Sequence, residues 1–479
     1  ANRLRYRWVS STALIMMGSL VSKEAGHELK PVHKDVRAQS LARDWAEGLP
    51  VSRDLTNEAE NLQVLALASD VLASGVELQW FKDEYFGGET KAPGPAVLVS
   101  AIGSAESKSK FKALGPLHLT CIYAMYGEQN RIKKKAEHPN GQDFVRMKVK
   151  QLEWLFDGEE GKTWEILAVD DGCPNDSKSL ARAIIEQEKY SNVKVLDLED
   201  AVKDGLPYFQ ERGLTAGCKQ SRKGGAILYG LHHAASAPPR KVPALVMYTD
   251  SDLSTDMSLC GLLADGILVQ GSSMSMGARY GQAETFLVKP PDSGAAGHPQ
   301  SHFEQPNMMK IVMRHWVRVQ LLPMLRGVYD TQCAFKCFRA EDVMKIINEV
   351  RGLGADFDME LLLCALSYFR NAGVPDEKLC AIAPTLFTED FAESNFMATS
   401  DDPDKSYKTF ASMTNGMCAM HERYIPTGSP EAAAAAPIVE WARDVSWETY
   451  KKMILELEKR GPTLIDHDFD FATIKGACE

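Results

Sequence analysis

Apolar positions in the first 110 residues recur mostly three or four apart, the spacing of one helix face. Over residues 57–80, Leu62, Val64, Leu65, Leu67, Val71, Leu72 and Val76 follow this rule and predict a helix. Gly and Pro punctuation over residues 87–95 then reads as a linker. From Leu117 the texture changes. Short apolar runs alternate with helical stretches, which predicts an α/β fold built on a mostly parallel sheet. Strands are expected at residues 118–123, 164–169, 193–196, 244–248 and 266–270, and helices at 176–189, 224–235 and 305–325. Near the end, Val439, Trp441, Val445, Trp447, Tyr450, Met453, Ile454 and Leu457 form an amphipathic stripe over residues 438–459. Its expected role is packing against the body of the protein. Three regions follow: a helical N-terminal region at 1–112, an α/β domain at 113–396 and a helical C-terminal extension at 397–479.

The length, 479 residues, exceeds what one ordinary core accommodates. A net charge of −11 argues against nucleic acid as the partner. The 10 cysteines are scattered with no CxxC pair, which fits reduced thiols in a cytoplasmic chain better than disulfides or zinc. Cys333 and Cys337 flank Phe335 and Lys336 within what reads as one strand. Residues 13–21 form an apolar run too short to span a bilayer and read as a buried helix, although Arg3, Arg5 and Arg7 precede it. The expectation is a cytoplasmic protein with no integral membrane span, peripheral attachment being left open. His232 and His233 lie on an apolar helix and are expected to be structural.

The chemistry concentrates at strand ends. The second strand delivers Asp170 and Asp171 into Gly172, and Asp176 or Ser177 is expected to cap the helix that follows. In open α/β sheets, that edge binds ligands. The fourth strand runs into Asp250-Ser251-Asp252. Two hard oxygen ligands at alternate positions suit Mn2+ or Mg2+ completed by phosphate oxygens. The same residues also read as a capped turn, since Ser254 and Thr255 follow. Between the two motifs, Ser221-Arg222-Lys223-Gly224-Gly225 opens an apolar helix. Amides at a helix start attract anions, and Lys223 adds a charge. The spacing is not that of a Walker loop.

In this order the blocks resemble the family 2 glycosyltransferases of GT-A fold, and within them the branch of dolichyl-phosphate glucosyltransferases and related polyprenyl-phosphate sugar transferases. The likeness is carried by Tyr126-Gly127-Glu128, Val169-Asp170-Asp171-Gly172, Lys223-Gly224-Gly225-Ala226 and Thr249-Asp250-Ser251-Asp252-Leu253-Ser254. Gly277-Ala278-Arg279, Asp330-Thr331-Gln332-Cys333-Ala334-Phe335-Lys336 and Phe357-Asp358-Met359-Glu360-Leu361-Leu362 continue it, so that residues 115–395 are covered. The chain departs from the family pattern at Gly127 and Ala334 and in a long insertion over residues 273–307, and it is expected to lack the membrane anchor that many relatives carry.

The resemblance implies a Rossmann-like GT-A domain with helical extensions. It implies a donor-nucleotide site of Tyr126, Glu128, Asp170, Asp171, Lys223, Asp250 and Ser251, and a metal at Asp252 and Asp250. Arg279, Arg314 and Arg318 would meet an acceptor or the diphosphate. Arg314 and Arg318, four apart on one helix face, also read as a solvated basic face. An inverting transfer to a hydroxyl needs a carboxylate base, for which Asp330, Asp358 and Glu360 are candidates, with Glu389 and Asp390 as a further pair. A phosphate acceptor needs none. The implied activity is metal-dependent transfer of a sugar, glucose by resemblance, from a UDP-sugar to an unidentified acceptor. GDP-mannose as donor, a nucleotidyltransferase and a non-catalytic sugar-nucleotide-binding protein stay open. A homo-oligomer assembled through the helical ends is a further expectation.

Overall fold

The computed structural model describes residues 36–86, 94–221, 223–279, 285–288, 312–313, 316–354, 356–390, 402–459 and 476. The chain divides into two compact units, Ala1–Asp44 and Trp45–Glu479. Of the first, only residues 36–44 are described, within the helix Val36–Ala46. All that follows concerns the second.

Its centre is a seven-stranded sheet of order β3-β2-β1-β4-β7-β5-β8. The strands are β1 (Leu117–Met125), β2 (Lys162–Asp170), β3 (Val193–Asp197), β4 (Ala244–Thr249), β5 (Met274–Ala278), β7 (Lys336–Arg339) and β8 (Cys380–Pro384). Only β7 runs against its neighbours; every other pairing in this sheet is parallel. A small second sheet pairs β6 (Phe286–Val288) with β9 (Leu386–Thr388). The α/β class expected from the alternation of runs is the one observed. Strands buried on both faces read as continuous apolar runs, and β1 and β4 are buried along nearly their whole length.

Helix Gly224–Ala235 crosses this sheet closely. A Cβ at Gly230 would stand 2.5 Å from Ile122 Cγ2 on β1 and 3.2 Å from Val169 Cγ2 on β2, so glycine lets the helix reach both strands. That contact fixes the helix start, and with it Lys223, over the carboxyl edge.

Several expectations need correction. The strand expected at 266–270 is the end of helix Cys260–Leu268, and the fifth strand is β5. The run Gly266-Ile267-Leu268-Val269 looks strand-like in isolation, but it closes a longer buried stretch from Met257 that has helical length. β5 itself, Met-Ser-Met-Gly-Ala, has no β-branched residue to announce it. The helix at 57–80 is two, Glu58–Ala73 and Leu78–Tyr85, separated at Gly75 with φ +71°. The C-terminal stripe is likewise split between Pro430–Arg443 and Trp447–Lys459. Within 305–325 the described residues are 312–313, which are α-helical as expected, then a π-helical turn, Trp316–Leu321, and a 3-10 turn, Pro323–Leu325. Asp176 occupies the cap position of helix Ser177–Glu188 in a left-handed conformation, φ +62°, without a side-chain cap bond. Ser177 instead accepts from the Glu128 amide at 3.0 Å. Cys333 precedes β7 rather than lying in it, and the nine described cysteines are free thiols.

Residues 13–21, 87–93, 289–307 and Arg314 lie outside the described residues, so the expectations placed on them stand apart from this account. No described helix is long and apolar enough to cross a membrane.

Candidate active site

The register of the sheet brings three strand ends level. Met125 pairs with Asp170, and Tyr123 with Thr249, so the loops after β1, β2 and β4 open at one edge. Glu128, Asp170, Asp171, Asp250, Ser251 and Asp252 therefore gather there, and Lys223 joins them from the helix start.

Asp170 is fully buried. Its Oδ1 accepts from the Gly172 and Cys173 amides at 3.1 Å each, while Oδ2 has no hydrogen-bond partner among the described residues. Burial pushes its carboxyl above the ordinary range. Asp171 has a different task. The Ser221 hydroxyl donates to Oδ1 and the Lys223 amide to Oδ2 at 2.7 Å. Burial raises this carboxyl to about 6, against the pull of those two donors. Asp171 thus pins Lys223 in its left-handed conformation, φ +75°. From there the Lys223 ammonium reaches Asp250 Oδ1. Partial burial opposes the ionisation of Asp250, yet the Lys223 charge holds its carboxyl below the ordinary range. One lysine, positioned by the end of β2, so neutralises the end of β4.

A second cation stands on the other aspartate. Arg131 grips Glu128 with two bonds, Nε to Oε2 at 2.8 Å and Nη2 to Oε1 at 2.9 Å. Its Nη1 donates to Asp252 Oδ2 at 2.9 Å and lies 3.5 Å from Asp390 Oδ2. Burial raises the Glu128 carboxyl, opposed chiefly by Arg131, and Ser251 adds a side-chain hydrogen bond to Glu128. Asp390 arrives from the segment after β9. The Thr388 amide donates to Ser254 O at 2.9 Å and Phe387 bridges Thr255, laying that segment along the Asp250–Asp252 turn. Gln142 ties the two together, donating to Asp390 Oδ2 at 2.6 Å and accepting from the Leu253 amide at 3.0 Å.

The other expected residues are distributed differently. Tyr126 is 48% exposed at the rim. Asp358 and Glu360 lie two apart on helix Phe357–Asn371 and face different ways. Asp358 Oδ1 accepts from the Tyr248 hydroxyl and, at 3.0 Å, from Lys336 Nζ. Glu360 Oε2 accepts from the Arg351 and Gly352 amides, and its Oε1 from Arg423 and from the Tyr424 hydroxyl at 2.8 Å. It ties a loop to the C-terminal helix Lys405–Tyr424. Asp330 is buried with both oxygens on Arg279, at 2.8 Å to Nη2 and 2.8 Å to Nε. Burial opposes its charge, but Arg279 brings its carboxyl down to about 2. Arg318 is buried with its guanidinium 3.8 Å over the Tyr329 ring, and its Nη1 lacks a hydrogen-bond partner among the described residues.

Sequence reading left Arg131 and Gln142 without roles. Arg131 lies three residues after Glu128, and that spacing within one loop was its signal. Gln142 carries no pattern at all.

Two aspartates offer the hard oxygens that Mn2+ or Mg2+ takes. Among the described residues no set of three or more His, Cys, Asp or Glu side chains forms a metal cage. A pair of carboxylates without a cage fits a cation that is completed by substrate phosphates.

No protein-family model and no curated protein matches the chain. Solved structures do. Glucosyl-3-phosphoglycerate synthase (GpgS) from Mycobacterium tuberculosis, in complex with Mn2+, UDP-glucose and phosphoglyceric acid, is 16% identical with a TM-score of 0.37, covering 68% of this chain and 85% of that one. S. aureus TarS 1-349 in complex with UDP is 12% identical with a TM-score of 0.34, covering 72% and 77%. The mannosyltransferase PcManGT from Pyrobaculum calidifontis, in complex with GDP-mannose and Mn2+, is 12% identical with a TM-score of 0.35, covering 80% and 96%. At this distance no residue role passes from them to this chain.

Proposed function

We propose that the chain is an inverting glycosyltransferase of GT-A type that moves a sugar, glucose on the sequence resemblance, from a UDP-sugar to an acceptor. The observation that carries this reading is the line Asp171–Lys223–Asp250. It links two acidic strand ends through one ammonium at the ligand-binding edge of the sheet.

The rest of the site supports it. Asp170 Oδ2, buried and without a hydrogen-bond partner among the described residues, is an acceptor for a ring N–H such as that of uracil. Lys223 meets the diphosphate. Asp252 and Asp250 are the carboxylates that would hold Mn2+ or Mg2+, which when bound neutralises charge on the departing diphosphate. Arg131 holds Asp252 in orientation through a fixed fork. For a hydroxyl acceptor, Asp390 is favoured as base on its position against the Asp250–Asp252 turn, where its Oδ2 is also engaged by Gln142 and Arg131. Asp330, Asp358 and Glu360 are each committed to internal donors, which supports structural roles for them. For an anionic acceptor, Arg279, whose charge helps to lower the Asp250 carboxyl, is the cation favoured, with Arg318 as a further candidate, and no base is needed. Residues 113–396 would carry the chemistry, with the flanking helical regions as buttresses.

Release of UDP from UDP-glucose, with and without Mn2+ and against GDP-mannose, tests the proposal. Metal-stimulated UDP release supports it. Pyrophosphate release would point to a nucleotidyltransferase, and binding without turnover to a non-catalytic protein.

A further inference from the structure

The turn that begins at Asp250 is held at successive residues. Leu253 is bound by Gln142, Ser254 by Thr388 and Thr255 by Phe387. Asp256 comes next, and its partner comes from 203 residues earlier. Arg53 donates to Asp256 Oδ2 through Nη1 at 2.6 Å and to Oδ1 through Nη2 at 3.0 Å. Both side chains are only 2% exposed. Gln151 donates to the same Oδ1 at 2.6 Å and accepts from the Met257 amide at 2.9 Å. Arg53 is itself oriented by Asn61 Oδ1, at 3.2 Å to Nε and 2.9 Å to Nη2, and Asn61 is fixed by donating to Leu55 O at 2.8 Å.

A two-pronged buried ion pair, oriented by an amide whose other end is also satisfied, defines one geometry rather than a range of them. It acts four residues beyond Asp252. The N-terminal region, which the sequence suggested as a site of assembly, therefore reaches the Asp250–Asp252 turn.

We infer that Arg53 is a positioning residue for the donor diphosphate site, acting through Asp256 on the Asp250–Asp252 turn. This rests on the function proposed above. Arg53 touches no substrate. Its work is to keep Asp256 from drawing the turn out of register with Lys223 and Arg131.

The test is calorimetric binding of UDP with Mn2+ to the full chain, well below the melting temperature. It compares the wild type with Arg53→Met, Arg53→Lys and Asp256→Asn. Val64→Ala, a cavity variant in helix Glu58–Ala73 that removes none of these polar groups, supplies a control for lost stability alone. Arg53→Met is expected to weaken UDP–Mn2+ binding about tenfold or more, with uridine binding unchanged. Arg53→Lys should recover part of the loss, since one ammonium replaces a two-pronged fork. Val64→Ala should bind UDP normally. If Arg53→Met does not fold, Asp256→Asn, which retains a hydrogen-bonding side chain, is read in its stead. UDP affinity in these variants equal to that of Val64→Ala overturns the inference and leaves the proposed function standing. A wild type that binds no nucleotide overturns both.

Discussion

Arg131 and Asp252 form a part-buried ion pair of 2.9 Å, beside the buried pair of Arg131 with Glu128, so the aspartate expected to serve a metal already carries a protein cation. Around that guanidinium stand Glu128, Asp252 and Asp390, three carboxylates for one positive charge. The imbalance leaves room for a divalent cation. Removing one partner of a buried pair costs about 3–5 kcal/mol, so Arg131→Met should melt well below the wild type. Mn2+ in the medium should restore part of that loss, raising the melting temperature more in the variant than in the wild type. Equal Mn2+ effects on both would separate the cation from this cluster.

Asp252→Ala is expected to lower sugar transfer by at least about a hundredfold, the scale on which loss of one transition-state electrostatic contact is felt. Arg131 retains its two bonds to Glu128, so the fold should persist. Circular dichroism and a thermal melt establish the second point, and UDP release the first. Near-normal turnover would defeat the assignment of Asp252 to the metal.

The position of Asp171 gives the donor site a pH dependence. Its carboxyl titrates at about 6, raised chiefly by burial, and only the ionised form accepts from both Ser221 and Lys223. As pH falls through 6 the side chain gains a proton and one acceptor is lost. Donor KM should therefore rise on the acid side and be lowest above pH 7. Asp171→Asn imitates the protonated form. It should show a KM raised about tenfold at pH 7.5, the cost of roughly one hydrogen bond, and no transition near 6. A wild-type KM flat from pH 5 to 8 would count against this link.

The fold class was legible because β1, β2 and β4 carry apolar runs, with Asp170 closing β2 and Asp250 following β4, and burial on both faces requires such runs. β5 was not, since a short run of methionine, serine and small residues has neither a period nor a β-branched signature. At the site, the residues bound to strand ends were readable: Asp170, Asp171, Asp250 and Asp252 follow directly from their strands. Partners supplied across the fold were not. Gln142 meets Leu253 and Asp390, and Arg53 meets Asp256, through tertiary packing that local spacing does not encode. Asp358 and Glu360 illustrate the reverse error. Adjacent in a motif, they are turned apart by the helix that carries both, so proximity in sequence did not become proximity in function.

Asp330 offers the sharpest separation of stability from chemistry. Its carboxyl is held at about 2, below the ordinary 3.8, because Arg279 outweighs the effect of burial. A depressed carboxyl contributes its full stabilisation above its unfolded value, and loses it as pH falls through the folded one. The difference in unfolding free energy between the wild type and Asp330→Asn should be about 3–5 kcal/mol near neutrality, constant down to about pH 4.5, and smaller toward pH 2. Urea unfolding across that range measures it. Both oxygens of Asp330 are occupied by Arg279, and a group titrating near 2 is a poor acceptor for a hydroxyl proton at neutral pH. Below its melting temperature Asp330→Asn should therefore keep turnover within about tenfold of the wild type, a loss that positioning of Arg279 alone accounts for. Turnover abolished in a folded Asp330→Asn, but retained in Asp390→Asn, would return the base to Asp330.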